Sequence, residues 1–301
     1  MKIVFFGTPA FAAIILKGLI TAGHEIEAVI TRVDKPRGRK GTPQPSAVKA
    51  YIAEHHPEIP IYQPKNPSHA DFKDQIDAFT ADLFVVAAYG HILRSHILEK
   101  PRFGAINVHA SLLPKYRGAA PIQRAIMDGE TKTGVTIMQM VLEMDAGDML
   151  QKAEFRLEEG MTGGQVTETL AHLGVEALCE VLQKLENHTL SPEKQDPSAV
   201  TFAPKIMKED CRIDWKRTPQ SICHHVHALA PNPGAWCEVE VRGERKRMKV
   251  FKAQIVPKEE TGMLCVGLSG GVIRLSEVQL EGKGIVEDTA LLRGSEISIV
   301  F

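Results

Sequence analysis

Short apolar runs alternate in the first half of the chain with segments in which apolar residues recur every three or four positions. Continuous runs such as residues 83–88 are expected for central strands of a parallel sheet, which are buried on both faces. Residues 11–19 carry their apolar side chains at helical spacing. The predicted strands are residues 3–6, 26–31, 83–88 and 105–108, with residues 135–140 near a sheet edge. This alternation predicts an α/β fold: a Rossmann-like, doubly wound, mostly parallel sheet with its functional groups at the C-terminal ends of the strands.

The turn after the first predicted strand shows whether this sheet is suited to a dinucleotide. The sequence from residue 7 is Gly-Thr-Pro-Ala-Phe-Ala, so Gly7 is present but the other two glycines of the G-x-G-x-x-G pattern are not. Without them the backbone cannot approach a pyrophosphate closely. A nicotinamide dinucleotide is therefore rejected as a cofactor.

The pattern of the chain changes in its second half. Residues 187–204 are rich in Pro, Ser, Asp and Lys and lack an apolar period, which is typical of a linker. Thr218 and Pro219 then predict a helix N-cap followed by proline at the first helical position. Short alternating strands follow at residues 237–241, 248–251, 264–267 and 272–275. They predict a small, OB-like β-barrel. The expected division is an α/β domain at residues 1–189, a linker at 190–206 and a barrel domain at 207–301.

Composition narrows the class of protein. The 301 residues are 44% hydrophobic and 24% charged, as in globular proteins, and no apolar run reaches the 18 residues that a membrane span needs. The five cysteines have no C-x-x-C spacing, which predicts reduced thiols and a cytoplasmic location. Residues 223–227 combine Cys with three His, but a helix spreads these side chains around its axis, so no metal is expected. The expected oligomeric state is a monomer.

The formal net charge of −1 hides two basic runs. Residues 31–45 contain five basic residues and one acidic residue, which gives +4, and residues 242–252 contain six and one, which gives +5. The basic residues are Arg32, Lys35, Arg37, Arg39 and Lys40 in the first run, and Arg242, Arg245, Lys246, Arg247, Lys249 and Lys252 in the second. One such run is typical of a solvated loop. Two runs, in different halves of a nearly neutral chain, favour a nucleic-acid partner.

Residues 106–124 contain the most informative polar side chains. Asn107 and His109 are two positions apart on a predicted strand, so both point to one face near its C-terminal end. Asp145 opens a downstream turn that could bring a carboxylate over the same face. An Asn-x-His pair alone is weak evidence, because a histidine on a strand is usually structural.

The longer motif resembles the 10-formyltetrahydrofolate-dependent formyltransferases. The Asn-x-His is followed at residues 111–118 by Ser-Leu-Leu-Pro-x-Tyr-Arg-Gly, and Asp145 begins an Asp-x-Gly-Asp turn. The resemblance implies that Asn107, His109 and Asp145 are catalytic and that 10-formyltetrahydrofolate is the co-substrate, without a metal. The folate contacts that it implies are Ser111, Leu112, Leu113, Pro114, Val86, Ala88, Tyr89, Gly90, Ile92 and Asp148.

The chemistry of formyl transfer suits this trio. When an amine attacks the formyl carbon, negative charge develops on the formyl oxygen. The amide of Asn107 can donate to that oxygen, and protonated His109 can stabilise it, each contributing roughly 3–4 kcal/mol. Asp145 can keep His109 charged and accept the proton of the amine, directly or through water.

Further segments resemble the tRNA-directed members of this family. Residues 34–49 resemble the basic loop that enters the acceptor end of the tRNA in those enzymes, and residues 118–126 and 133–140 resemble their sequence closely. Short motifs at residues 203–206, 213–215 and 231–236 resemble their C-terminal domain. The implied acceptor is initiator methionyl-tRNA, and Arg and Lys side chains would contact its phosphates. The expected tRNA-binding residues are Arg37, Arg39, Lys40, Arg245, Lys246 and Arg247.

The sequence departs from the family pattern in three places. Residues 140–144 read Met-Val-Leu-Glu-Met where Met-Asp/Glu-x-Gly-Leu is common, and His227 and Asn232 stand where Arg and Trp are common. Two alternatives stay open: a formyltransferase that acts on a sugar nucleotide or purine precursor, and a folate- or RNA-binding module without catalysis. The intact trio argues against the module, and the basic loop and barrel argue against the other acceptors.

Overall fold

The computed structural model describes residues 1–37, 42–294 and 296–301 and places them in two compact units. Unit 1 consists of Met1–Arg117, Gly134–Phe155 and Glu168–Phe202, and unit 2 of Gly118–Thr133, Arg156–Thr167 and Ala203–Phe301. The units are interleaved along the chain because two short segments, residues 118–133 and 156–167, pack with the C-terminal part. The domain bounds expected from sequence, 1–189 and 207–301, stay a prediction.

The strands, in chain order, are β1 (Lys2–Gly7), β2 (Glu25–Ile30), β3 (Lys35–Arg37), β4 (Thr42–Gln44), β5 (Ile61–Tyr62), β6 (Leu83–Ala87), β7 (Ala105–His109), β8 (Arg117–Gly118), β9 (Lys132–Gln139), β10 (Met149–Arg156), β11 (Phe202–Ala203), β12 (Ala235–Val241), β13 (Glu244–Val256), β14 (Cys265–Leu268), β15 (Gly271–Leu280), β16 (Val286–Glu287) and β17 (Ile297–Val300). The α-helices are α1 (Ala10–Thr21), α2 (Ala47–His55), α3 (Lys73–Ala78), α4 (Ser95–Leu98), α5 (Pro121–Met127), α6 (Gly163–Glu186), α7 (Pro219–Leu229) and α8 (Asp288–Leu292). Short 3-10 helices lie at Ala70–Phe72, Pro197–Ala199 and Glu209–Cys211. None of the helices among the described residues combines the length and apolar character that crossing a membrane requires.

Unit 1 is built on a seven-stranded sheet in the order β10-β9-β7-β6-β1-β2-β5. Strands β7, β6, β1, β2 and β5 are parallel, and β9 runs antiparallel to β7. The predicted Rossmann-like, mostly parallel sheet is thus confirmed. Strand β9 lies one position inside the edge because β10, which the apolar pattern did not predict, continues the sheet beyond it.

Register aligns the C-terminal ends of the central strands. Gly7 of β1 pairs with Ala87 of β6, and Val86 pairs with Asn107 of β7. On the other side of β7, His109 is opposite Thr136. The loops that follow these strands therefore leave the sheet along one edge, where an α/β sheet places its functional groups.

Helix α6 covers one face of this sheet through small residues. A Cβ on Gly174 would lie 3.0 Å from a methyl group of Val108, and one on Gly18 of α1 would overlap a methyl group of Val175. Glycine at both positions lets α6 approach β7 and α1 closely. This packing buries the opposite side of the strand that carries His109.

Unit 2 contains a nearly closed antiparallel sheet in the order β14-β15-β13-β12-β17, with β16 paired to β15. The predicted barrel-like C-terminal fold is confirmed. Strand β13 is 13 residues long and its register with β15 shifts twice between Val250 and Ala253, which bends it around the core. Helix α7 packs against the same core, and its predicted N-cap is present: the Thr218 hydroxyl accepts from the backbone N–H of Ser221 at 3.2 Å.

A buried ion pair holds α8 against the barrel. Asp288 is fully buried and accepts from Arg274 Nε at 2.9 Å, from Arg274 NH2 at 2.8 Å and from the backbone N–H of Leu264 at 2.9 Å. Burial alone would raise the pKa of Asp288. These hydrogen bonds, with one from the N–H of Thr289, lower that pKa below its ordinary value instead.

Two histidines of α7 are buried in unit 2. His225 donates Nε2–H to the carbonyl oxygen of Asp210 at 2.7 Å, and His227 Nε2 accepts from the backbone N–H of Ala253 at 3.4 Å. Burial lowers the pKa of both imidazoles below the ordinary value, because a charged ring loses its hydration there. His224 lies elsewhere on the helix surface, within 2.8 Å of Gln220.

We expect the stability of unit 2 to fall as the pH drops below about 6.5, because the unfolded chain then binds protons that buried His225 and His227 do not. Above that pH both rings are neutral in either state and the effect is absent. The double variant His225→Gln/His227→Gln should flatten the dependence between pH 7 and 5. Urea unfolding followed by tryptophan fluorescence measures it, since Trp215 and Trp236 both lie in unit 2. His172→Gln, exposed on α6, is the control; an unchanged slope in the double variant contradicts the assignment.

Candidate active site

His109 and Asp145 meet at the C-terminal edge of the unit 1 sheet. His109 is the last residue of β7 and Asp145 lies in the turn between β9 and β10. Nδ1 of His109 lies 3.7 Å from Oδ2 of Asp145, and the two side chains are only 5% and 16% exposed. Because the pair is shielded from bulk water, a charge on either group acts strongly on its partner.

A second contact determines the tautomer of His109. Its Nε2 lies 3.0 Å from the backbone carbonyl oxygen of Tyr116. A carbonyl can only accept, so Nε2 carries a hydrogen and Nδ1 is the nitrogen left for another partner. That nitrogen faces Asp145. A charged ring would form an ion pair with the Asp145 carboxylate while Nε2–H stays on the carbonyl of Tyr116.

Asn107 lies on the same face of β7 as His109, since alternate residues of a strand point the same way. Its side chain is half-buried, and its strand neighbours are Val86 and Met138. Its amide can donate toward the edge of the sheet at which His109 lies. Within the predicted trio, His109 and Asp145 are therefore in contact. Asn107 lies two positions before His109, on the same face of β7.

The turn at residues 111–114, a predicted folate contact, is held by internal hydrogen bonds. Ser111 is fully buried and its hydroxyl donates to the carbonyl of Lys115 at 2.7 Å. Thr136 donates to the carbonyl of Ser111 at 2.7 Å and accepts from the N–H of Leu113 at 3.0 Å. The Ser111 hydroxyl thus shapes the turn, while Leu112 and Pro114 are half-buried. Thr136 is a supporting residue that the sequence pattern did not single out.

The loop after β6, also a predicted folate contact, presents backbone to its surroundings. Ala88 and Gly90 have positive φ values of 45° and 83° and are exposed, and Ile92 is 81% exposed. Tyr89 between them is buried against Phe6, and burial raises the pKa of its hydroxyl. The buried ring of Tyr89 anchors the loop, and Thr8 and Ser68 donate to the carbonyls of Tyr89 and Ile92, so Ala88 and Gly90 are the exposed positions beside this anchor. Asp148 is half-buried beyond Gly147 in the turn that carries Asp145.

Sequence reasoning gave no role to two buried polar residues beside Asp145. Arg117 donates from Nε to Oε1 of Gln195 at 3.0 Å and from NH1 to Glu143 at 3.2 Å. Gln195 in turn donates to the backbone carbonyls of Asp145 and Gly147. Arg117 belongs to the recognised motif, but Gln195 lies in the polar segment expected to be a linker, where one amide residue gives no signal. Glu143 belongs to the segment that departs from the family pattern.

The first basic run is described only in part. Lys35–Arg37 pairs with Thr42–Gln44 as a two-stranded ribbon, whereas the Arg37 side chain and the predicted tRNA contacts Arg39 and Lys40 lie outside the described residues. The base of the ribbon is held by Asp34, which accepts from Lys49 at 2.8 Å and from Gln63 at 2.7 Å. These hydrogen bonds lower the pKa of Asp34.

The second basic run has acidic neighbours that the linear sequence separates from it. Arg245 and Arg247 of β13 lie opposite Glu240 and Glu238 of β12. Lys246 is ion-paired with Glu244 at 2.9 Å. The guanidinium of Arg247 also lies 4.1 Å from the ring centre of Trp236. Counting the two cross-strand glutamates together with Arg212, which is ion-paired with Glu238 at 3.2 Å, changes the local net charge from +5 to +4, so this surface is slightly less basic than the sequence run indicates.

Comparison with known proteins matches both parts of the chain to one family. Residues 1–182 match the family described as formyl transferase, and residues 205–296 match the family described as formyl transferase, C-terminal domain. A relative from Protochlamydia amoebophila, named methionyl-tRNA formyltransferase, is 43% identical to this chain. The match covers 98% of this chain and 95% of the relative. One from Chlamydia pneumoniae with the same name is 38% identical and spans 100% and 98%.

Solved structures with a similar fold are also formyl-group enzymes or bind folate. An N-formyltransferase from Helicobacter canadensis, in complex with folinic acid and dTDP-3-aminofucose, superposes with a TM-score of 0.67 at 17% identity, covering 91% of this chain and 98% of that one. HypX from Aquifex aeolicus in complex with tetrahydrofolic acid gives 0.65 at 18% identity, covering 97% and 47%. At this identity the likeness concerns the fold.

Proposed function

Because the chain belongs to the formyltransferase family, we propose that it transfers the formyl group of 10-formyltetrahydrofolate to the α-amino group of initiator methionyl-tRNA. The observation that carries the chemistry is the His109–Asp145 pair at the C-terminal edge of the sheet, 3.7 Å apart, with Asn107 on the same face of β7 as His109. The observation that carries the acceptor is the full-length likeness to relatives named methionyl-tRNA formyltransferase.

Each of the three residues of the site has its own part in the reaction. The amine nitrogen attacks the formyl carbon, a C–N bond forms, and negative charge develops on the formyl oxygen. Asn107 donates a hydrogen bond to this oxygen and positively charged His109 stabilises it. Asp145 receives the proton that the amine loses. The bond from the formyl carbon to N10 of the folate then breaks, and N10 takes up a proton as tetrahydrofolate leaves.

The folate is proposed to lie between the loop after β6 and the turn at 111–114. The loop after β6 supplies the exposed residues Ala88 and Gly90 on one side, and Leu112 and Pro114 supply half-buried apolar surface on the other. Asp148 is placed in the turn beside Asp145. A planar pterin ring is suited to such a site because its edge carries several donors and acceptors that backbone groups can match.

Incubation with 10-formyltetrahydrofolate and charged initiator tRNA should yield N-formylmethionyl-tRNA and tetrahydrofolate in equal amounts. Hydrolysis of the tRNA ester followed by mass spectrometry identifies the product. A dTDP-amino sugar offered in place of tRNA is the matched acceptor control. Formylation of the sugar with none of the tRNA would replace the proposed acceptor by a sugar nucleotide.

His109→Ala and Asp145→Ala should each lower kcat by at least about a hundredfold, as expected when charge stabilisation or a general base is removed. Single-turnover assays on initiator tRNA measure the loss, and circular dichroism checks the fold. His172→Ala, an exposed histidine on α6, should retain activity. Turnover near the unsubstituted level in either site variant rules out the mechanism.

Replacing Arg37 and Arg39 with Ala should weaken tRNA binding and reduce its salt dependence, with the slope of log K against log salt falling by roughly 0.7–0.9 for each phosphate that is no longer neutralised. The folate KM should stay unchanged. The triple variant Arg245→Ala/Lys246→Ala/Arg247→Ala should show a smaller reduction, because Glu238 and Glu240 lie opposite that run. Filter binding between 50 and 200 mM salt gives the slope for each variant and for the unsubstituted protein. Equal slopes in all three would mean that these Arg and Lys side chains are merely solvated.

A further inference from the structure

Residues 195–201, in the segment that sequence patterns assign to a linker, contact Asp145 directly and contact Tyr116, whose carbonyl accepts from His109. Gln195 lies at one end of this segment and Thr201 at the other. All of these residues belong to unit 1. The exposed neighbours Lys194 and Asp196 face away, whereas Gln195 is buried. A buried amide in an otherwise exposed, polar stretch requires partners, and its partners lie at the candidate active site.

Gln195 uses its whole side-chain amide at the turn that carries Asp145. Its Nε2 donates to the carbonyl of Asp145 at 2.7 Å and to the carbonyl of Gly147 at 2.8 Å. Its Oε1 accepts from Nε of the buried Arg117 at 3.0 Å. Since both amide hydrogens bind carbonyls on the two sides of the turn, the position of Asp145 is tied to Gln195 and, through it, to Arg117.

The turn needs such support because Asp145 has a left-handed backbone, with φ of 52°. Residues with a Cβ disfavour this conformation, although Asp tolerates it better than most of them. On the far side, Gly147 is packed against β9 so closely that a Cβ there would overlap the carbonyl oxygen of Gln139. The turn is thus held between β9 and Gln195, and the Asp145 carboxylate is directed at Nδ1 of His109.

Thr201 binds Tyr116, the residue whose carbonyl accepts from His109. Its hydroxyl oxygen accepts from the backbone N–H of Tyr116 at 2.8 Å, and its carbonyl accepts from the N–H of Arg117 at 2.9 Å. Tyr116 is also left-handed, with φ of 61°. Its own carbonyl accepts Nε2–H of His109. Thr201 therefore holds Tyr116 on both sides: its hydroxyl binds the N–H of Tyr116, and its backbone carbonyl binds the peptide whose oxygen sets the tautomer of His109.

We propose that Gln195 and Thr201 are positioning residues for formyl transfer, acting from the 195–201 segment on Asp145 and on His109 through Tyr116; this rests on the proposed function. Neither side chain takes part in the chemistry. Each binds a backbone group of a residue with a left-handed φ. Gln195 binds Asp145 itself, and Thr201 binds Tyr116, which orients His109. Their loss displaces the proton acceptor or the charged ring and lowers kcat, while substrate binding changes little.

Gln195→Met, which keeps the length of the side chain but cannot donate, should lower kcat by about tenfold to a hundredfold, the effect of a displacement near 1 Å. KM for folate and tRNA should stay within about threefold. Gln195→Glu separates the two interactions, because a carboxylate still accepts from Arg117 but offers the carbonyls no hydrogen. It should be as impaired as Gln195→Met. Lys194→Met, at the adjacent exposed position, should match the unsubstituted enzyme.

Thr201→Val should lower kcat in the same way, and Thr201→Ser, which restores the hydroxyl, should recover it. Thermal unfolding of every variant accompanies the kinetics, and only variants that remain folded at the assay temperature are compared.

Full kcat in folded Gln195→Met, or in Gln195→Glu alone, overturns the role of Gln195. Equal kcat for Thr201→Val and Thr201→Ser overturns the role of Thr201. A rise in KM without a change in kcat overturns both roles, because it assigns the segment to binding. Failure of the proposed function itself is distinguishable, since the unsubstituted enzyme would then not formylate initiator tRNA.

Discussion

The hydrogen bond from Nε2 of His109 to the carbonyl of Tyr116 determines how the rest of the site can work. It uses one ring nitrogen for the protein and leaves the other, Nδ1, facing Asp145. For the bond to form, Tyr116 must turn its carbonyl back toward the end of β7, which its left-handed backbone achieves. The motif at residues 107–118 thus acts as one unit: a strand that delivers the histidine and a return loop that orients it.

The sheet supplies the second constraint. Because β6, β7 and β1 are parallel and in register, their loops emerge together, and the antiparallel strand β9 returns the chain to the same edge at Asp145. Thr136 of β9, opposite His109, also fixes the turn at 111–114 through Ser111 and Leu113. The pairing of β9 with β7 therefore positions both Asp145, the proposed proton acceptor, and the wall of the proposed folate site.

The sequence was informative where structure depends on local pattern. Continuous apolar runs predicted β1, β2, β6 and β7, and the Asn-x-His spacing predicted a shared face. Strand β10 was not predicted, because its half-exposed, charged residues show no clear alternation. Gln195 was assigned to a linker because its partners lie about 50 and 78 positions away along the chain. The net positive charge around residues 242–252 was overestimated for the same reason, because Glu238 and Glu240 become neighbours of this run only when β12 pairs with β13.

Backbone strain is concentrated where the proposed chemistry lies. Of the five non-glycine residues with positive φ in the described part of the chain, Ala88, Tyr116 and Asp145 follow β6, β7 and β9 at one edge of the sheet. Each such residue costs roughly 1–2 kcal/mol, so the fold keeps them only because other interactions offset that cost. For Tyr116 and Asp145 those interactions are the hydrogen bonds of Thr201 and Gln195. If these residues served only stability, the chain would be more stable with ordinary φ values at both positions. Keeping the left-handed conformation is consistent with a requirement for the directions in which the Tyr116 carbonyl and the Asp145 carboxylate point.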